Sequence, residues 1–137
     1  MSFPVTEISG QLRYAAQVKL DATGNGVITF DPASARERWE VTTVIVSTNQ
    51  AANATVVPVA TVAKNTTVAS QLSQGNNRGA SWSGNQDVFS GQTDISAADF
   101  LSVIFSPPPG ATNTQIAALA GVICYATITG TRYVRRT

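Results

Sequence analysis

The residues that could do chemistry in this chain are few, and the most useful type is missing. There is no histidine, so the side chain most used for acid–base work near neutral pH is absent, and with it the commonest transition-metal ligand. The many serines and threonines therefore have no base of the Ser–His kind. The single cysteine, Cys124, has no histidine partner either. It stands in the apolar run Gly121-Val-Ile-Cys-Tyr-Ala126 and reads as a small core hydrophobe. The carboxylates are Glu7, Asp21, Asp31, Glu37, Glu40, Asp87, Asp94 and Asp99. Of these, Asp87, Asp94 and Asp99 are the one group to test as a cation site. Their spacing lacks the alternate carboxylates and closing Glu of an EF-hand loop. No Gly-x-x-x-x-Gly-Lys phosphate loop occurs. The expectation is no catalytic residue, no cofactor and no metal.

Composition points away from enzymes and toward surfaces. The hydrophobic fraction is 43% and the charged fraction 12%, the latter about half the usual value. Ser, Thr, Asn, Gln and Ala make up the difference. Charges are depleted at the centres of protein interfaces, so a polar but weakly charged chain suits a subunit surrounded by neighbours. The net charge is +1 and the basic residues are dispersed, apart from Arg132, Arg135 and Arg136. This is not the basic stripe of a nucleic-acid binder. No apolar run is long enough for a membrane-spanning helix. Nothing at Met1-Ser-Phe-Pro-Val5 looks like a secretory signal, so synthesis in a cytoplasm is expected.

The elements that must position any surface are strands. Leu12, Tyr14, Ala16, Val18 and Leu20 alternate with Arg13, Gln17 and Lys19, the period of a half-buried strand. Asp21-Ala-Thr-Gly-Asn-Gly26 reads as a turn closing a hairpin with a short strand, Gly26 to Phe30. Arg38 to Ser47 makes a long strand with Trp39, Val41, Thr43 and Ile45 on one face and Val44 and Val46 on the other. Pro58 marks an edge or bulged strand from Ala54 to Val62. Ser73 to Ser90 reads as a long polar loop anchored by Trp82, Val88 and Phe89. Phe100 to Phe105 is apolar on both faces. Gln115 to Ala120 has helix propensity but is read as the start of the last strand, which continues through Ile128.

Strands at regular spacing, with Gly, Pro and Asn turns, predict an all-β fold: a single β-sandwich, jelly-roll-like, of about eight strands. It spans residues 1–137, with 1–10 as an N-terminal arm and 132–137 as a C-terminal tail. Trp39, Val41, Ile45, Leu101 and Val103 are the predicted core. A two-layer sandwich buries one face of each sheet. Val44, Val46, Phe100 and Ile104 are therefore expected to need loops or another chain to cover them.

Three stretches resemble small virion accessory proteins of tailed bacteriophages that infect actinobacteria. The first is Gly24-Asn-Gly-Val-Ile-Thr-Phe-Asp-Pro32 followed by Glu37-Arg-Trp-Glu-Val-Thr-Thr-Val-Ile-Val-Ser47. The second is Ser83-Gly-Asn-Gln-Asp87. The third is Pro109-Gly-Ala-Thr112 with Ile128-Thr-Gly-Thr-Arg-Tyr133. The likeness covers Gly24 to Tyr133 and departs at Gln115 to Gly121, where extra alanine-rich residues intervene. It implies a non-enzymatic virion protein, docking on the tail tip or baseplate. A capsid decoration protein and a host-surface or carbohydrate-binding module are the rival readings. The partners expected are other virion proteins, tail or major capsid, and further copies of the chain, with a trimer implied by the resemblance. The interface candidates are Trp82, Phe89, Val44, Val46, Phe100, Ile104, Arg132, Arg135 and Arg136.

Overall fold

The computed structural model describes residues 7–51, 54–65, 67–68 and 86–135. Eight strands appear: β1 (Glu7–Lys19), β2 (Gly26–Phe30), β3 (Glu37–Thr48), β4 (Val59–Lys64), β5 (Thr67–Val68), β6 (Gln86–Ile95), β7 (Leu101–Ser106) and β8 (Ile123–Arg135). One helix, α1 (Asn113–Leu119), lies between β7 and β8. The strands pair as one long folded ribbon: β1 with β8, β2 with β7, β3 with β6 and β4 with β5, all antiparallel. The ribbon then rolls, so that β3 also pairs with β8 and β4 with β7. The result is two sheets of order β1-β8-β3-β6 and β2-β7-β4-β5, an eight-stranded jelly roll. The predicted all-β sandwich is the observed fold.

Several local expectations change. The Asp21 turn forms, with its carboxylate accepting from the Thr23 and Asn25 backbone N–H groups at 2.8 and 3.0 Å and from the Thr23 hydroxyl at 2.6 Å. Yet it does not close a hairpin: β1 and β2 lie in different sheets, so the turn carries the chain across the sandwich. Residues 7–10 belong to β1 rather than to an arm, and Arg132 to Arg135 belong to β8 rather than to a tail. Gln115 to Leu119 is helical. Thr112 and Gln115 make a reciprocal capping box, which satisfies two backbone donors that a helix start leaves free. Leu119 then seals the end of the core, 0% exposed, against Gly24. Of the polar stretch from Ser73, Gln86 to Ser90 is strand; 73–85 lie outside the described residues.

The largest departure lies in β3. Alternation puts Glu37, Trp39 and Val41 inside, all buried. The next inward residues are Val44, Val46 and Thr48, also buried, while Ile45 is only half-buried on the outer face. The parity switches because the register slips between Val41 and Thr43 toward both neighbours. Val41 faces Gly130 and Thr43 faces Thr129 on β8, while Val41 faces Thr93 and Thr43 faces Ser90 on β6. Against β8, Thr42 is the extra residue of a β-bulge; against β6 the extra residue is on β6, where Gly91 and Gln92 stand opposite Thr42 alone. The expected core position of Ile45 and the expected outer-face position of Val44 and Val46, to be covered by loops or another chain, both change for this one reason.

The bulge needs room. A Cβ added at Gly130 would collide with the Glu40 carbonyl oxygen and crowd the Thr42 nitrogen at 3.1 Å. On β6, Gly91 takes φ 145 beside the same slip. Thr93, 1% exposed, points inward there, and its hydroxyl is the one buried side-chain polar atom without a partner among the described residues. Two substitutions should move stability in opposite directions. Gly130→Ala should destabilise by about 1–3 kcal/mol, as overpacking does. Thr93→Val keeps the shape and removes an unsatisfied hydroxyl, so it should stabilise by about 1 kcal/mol. Denaturant unfolding of the two variants checks both signs.

Candidate interaction surface

The sandwich withdraws several expected interface residues from the surface. Val44, Val46 and Phe89 are each 0% exposed. Phe89 faces Val44 across the β3–β6 ladder, so these side chains cover one another inside one chain and need no second chain. Phe100 is half-buried. Ile104 does reach the surface, at the middle of the second sheet, between Val27 on β2 and Thr61 on β4. Trp82 and Arg136 lie outside the described residues.

The arginines are partly committed too. Arg132 donates from Nε and a terminal nitrogen to the two Glu37 carboxylate oxygens at 2.8 and 3.2 Å. Glu37 also accepts from the Trp39 indole N–H at 2.7 Å. Glu37 is 4% exposed, and the Arg132 hydrogen bonds hold its carboxyl below the usual carboxylate range despite burial. Arg132 is thus a structural counterion, not a solvated tail residue. One strand over, Arg38 donates to both Glu7 oxygens at 3.0 Å and lies 3.9 Å above the Tyr133 ring, a cation–π contact. Arg135 remains exposed, its backbone N–H bonded to the Arg36 carbonyl at 2.8 Å. With Glu40 facing Asp94 across β3 and β6, charge gathers at this one end of the first sheet.

Away from that end the only charged side chains on the outer face among the described residues are Arg13 and Lys19 on β1, and the middle rows are uncharged. A row across all four strands reads Ala15, Thr127, Ile45 and Val88. The next row carries Gln17, Tyr125 and Ser47. Neither row holds a carboxylate, amine or guanidinium among these side chains. Val88 is 42% and Tyr125 36% exposed. Small hydroxyls and β-branched carbons on a flat sheet cost little to desolvate, because few charges must lose water. The outward set of β3 owes its composition to the bulge, since Val44 and Val46 have moved inside.

The acidic trio does not come together as a site. Asp94 is exposed on β6, and the backbone of Asp87 lies toward that strand's other end. Asp99 is a fastener. Its oxygens accept from the Ser96 N–H at 3.0 Å, the Ser96 hydroxyl at 2.9 Å and the Asn65 amide at 3.1 Å. Asn65, in left-handed conformation at φ 57, accepts at its side-chain oxygen from the Phe100 N–H at 3.0 Å. The turn after β4 is thereby tied to the turn before β7. Among the described residues no three His, Cys, Asp or Glu side chains gather as a metal site. A shallow groove of about 260 Å³ opens between β1 and β2, lined in part by Tyr14, Phe30, Asp31 and Trp39. Trp39 is 2% exposed and packs against Tyr14 with ring centroids 5.3 Å apart, so it offers no ring face to a sugar.

The Asp99 fastener sets a pH dependence. Asn65 first, then Ser96, lowers the Asp99 pKa to about 2. A depressed carboxylate contributes its stability above the unfolded-state value of about 4 and loses it as pH falls through the folded value. The stability gap between wild type and Asp99→Asn should therefore be full at neutral pH and close as pH drops from about 4 toward about 2; thermal melts across that range check it. No protein-family model and no curated protein sequence matches this chain.

Proposed function

We propose that this chain is a non-enzymatic structural subunit of a tailed-bacteriophage particle, docked on the tail tip or baseplate. The observation that carries the reading is the uncharged middle of the first sheet's outer face, the row Ala15, Thr127, Ile45 and Val88 with its neighbour Gln17, Tyr125 and Ser47. It carries few charges to desolvate, which suits the core of an interface between proteins. The eight-strand jelly roll is consistent with it, since capsid and lectin domains share that architecture; fold alone assigns no role. The phage-like stretches between Gly24 and Tyr133 supply the particle. The charged end, with Arg135, Glu40 and Asp94, suits the rim of such an interface, where paired and solvated charges set orientation more than affinity. The capsid-decoration reading uses the same surface and differs in copy number.

Quantitative mass spectrometry of purified particles, calibrated on the major capsid protein, tests this. A few to a few dozen copies per particle is the expected result. Hundreds of copies would replace the tail role by capsid decoration. Absence from purified particles would overturn the structural role altogether.

A further inference from the structure

We propose that β1 is a self-complementary sheet edge through which two copies of this chain pair antiparallel about a two-fold axis, joining their first sheets into one of eight strands. This inference concerns the chain itself and does not depend on the phage reading.

β1 is the terminal strand of its sheet, with 13 residues and a length of roughly 40 Å at about 3.4 Å per residue. Among the described residues no strand pairs with its outer side, and all of it but Leu12 and Val18 is exposed. Sheet edges are normally blunted by shortness, proline, a bulge or charged side chains; β1 carries three, Glu7, Arg13 and Lys19, each six residues from the next. The neighbouring edges are blunted: β2 has 5 residues, and β6 carries the slip beside Gly91. β1 has no proline, and its register with β8 runs unbroken from Glu7 opposite Arg135 to Lys19 opposite Ile123.

Its sequence also fits its own reverse. Glu7 begins the strand, Arg13 is its centre and Lys19 ends it. Antiparallel pairing centred on Arg13 brings Glu7 of each copy opposite Lys19 of the other, at both ends. The same register sets Ile8 opposite Val18, Gly10 opposite Ala16 and Leu12 opposite Tyr14, so the inward-facing parity is kept. Ile8, 54% exposed, and Tyr14, 40% exposed, gain apolar neighbours. Glu7 is already held in place by Arg38 at 3.0 Å while its side chain stays 29% exposed. The one opposed contact is Arg13 with itself at the axis, a residue exposed on the outer face of the sheet. A self-complementary patch of this kind gives a closed dimer, in place of the trimer implied by the phage resemblance.

The experiment combines sedimentation of the purified chain with cysteine cross-linking. Wild type should sediment as a dimer that dissociates on dilution, and Lys19→Glu should weaken it several-fold. Arg13→Cys places two thiols face to face at the axis, within disulfide reach, and should oxidise to a covalent dimer. Ser9→Cys faces Gln17 and should stay uncross-linked. The native Cys124 is 0% exposed, with its thiol pushed up to about 12 by burial, so it adds no background. A monomer at every concentration, a trimer, or a dimer in which Arg13→Cys does not cross-link would overturn the proposal.

Discussion

The structure turns on the extra residue in β3. This strand is the inner partner of both β8 and β6, and it must put apolar side chains into the core along its whole length. A strictly alternating strand with its sequence would bury Trp39 and Val41 and then Thr43 and Ile45. Inserting Thr42 as a bulge re-aims the second half, so that Val44 and Val46 follow Val41 inside. Gly130 provides the space, because any side chain there would meet the Glu40 carbonyl. A bulge also sharpens the local twist, which helps a rolled ribbon fold over its partner sheet.

The same device decides what the surface is made of. Once Val44, Val46 and Phe89 are inside, the outer face of the first sheet is left with threonines, serines, Ile45, Val88 and Tyr125. Apart from Arg13 and Lys19 on β1, charge gathers at one end, with the Glu37–Arg132 and Glu7–Arg38 pairs. Those pairs have separate tasks. The first satisfies a carboxylate buried beneath Trp39; the second pins the start of β1 to β3. Charge that is used internally leaves little to mark the surface, which is why a chain with so few charged residues still contains several well-made ion pairs.

Much of this was legible in the sequence, and the failures share a cause. Alternation located β1, the Asp21 turn and β2, and the regular spacing of turns gave the sandwich. It did not give the pairing: a loop of that length reads equally as a hairpin or as a crossing between sheets, and only the ladder distinguishes them. Val44 and Val46 were misassigned because alternation counts residues and a bulge adds one. Thr42 has no feature of its own that announces a bulge; the signals sit on neighbouring strands, in Gly91 and Gly130. Helix α1 was more available. Thr112 followed three residues later by Gln115 is a capping-box spacing, ahead of a run of good helix formers. Phe89 looked like an interface anchor because its segment is polar, although its place opposite Val44 makes it core.

The central claim is that the bulge closes the core within one chain and leaves the first sheet with an uncharged middle on its outer face and a free edge at β1. Methyl NMR of valine-labelled protein with a soluble paramagnetic agent tests it most directly, on dilute protein. Val41, Val44 and Val46 should be shielded together, while Val27 and Val88, 53% and 42% exposed, should be bleached. Bleaching of Val44 and Val46 along with Val88 would mean that β3 alternates without a bulge, and the account would fail.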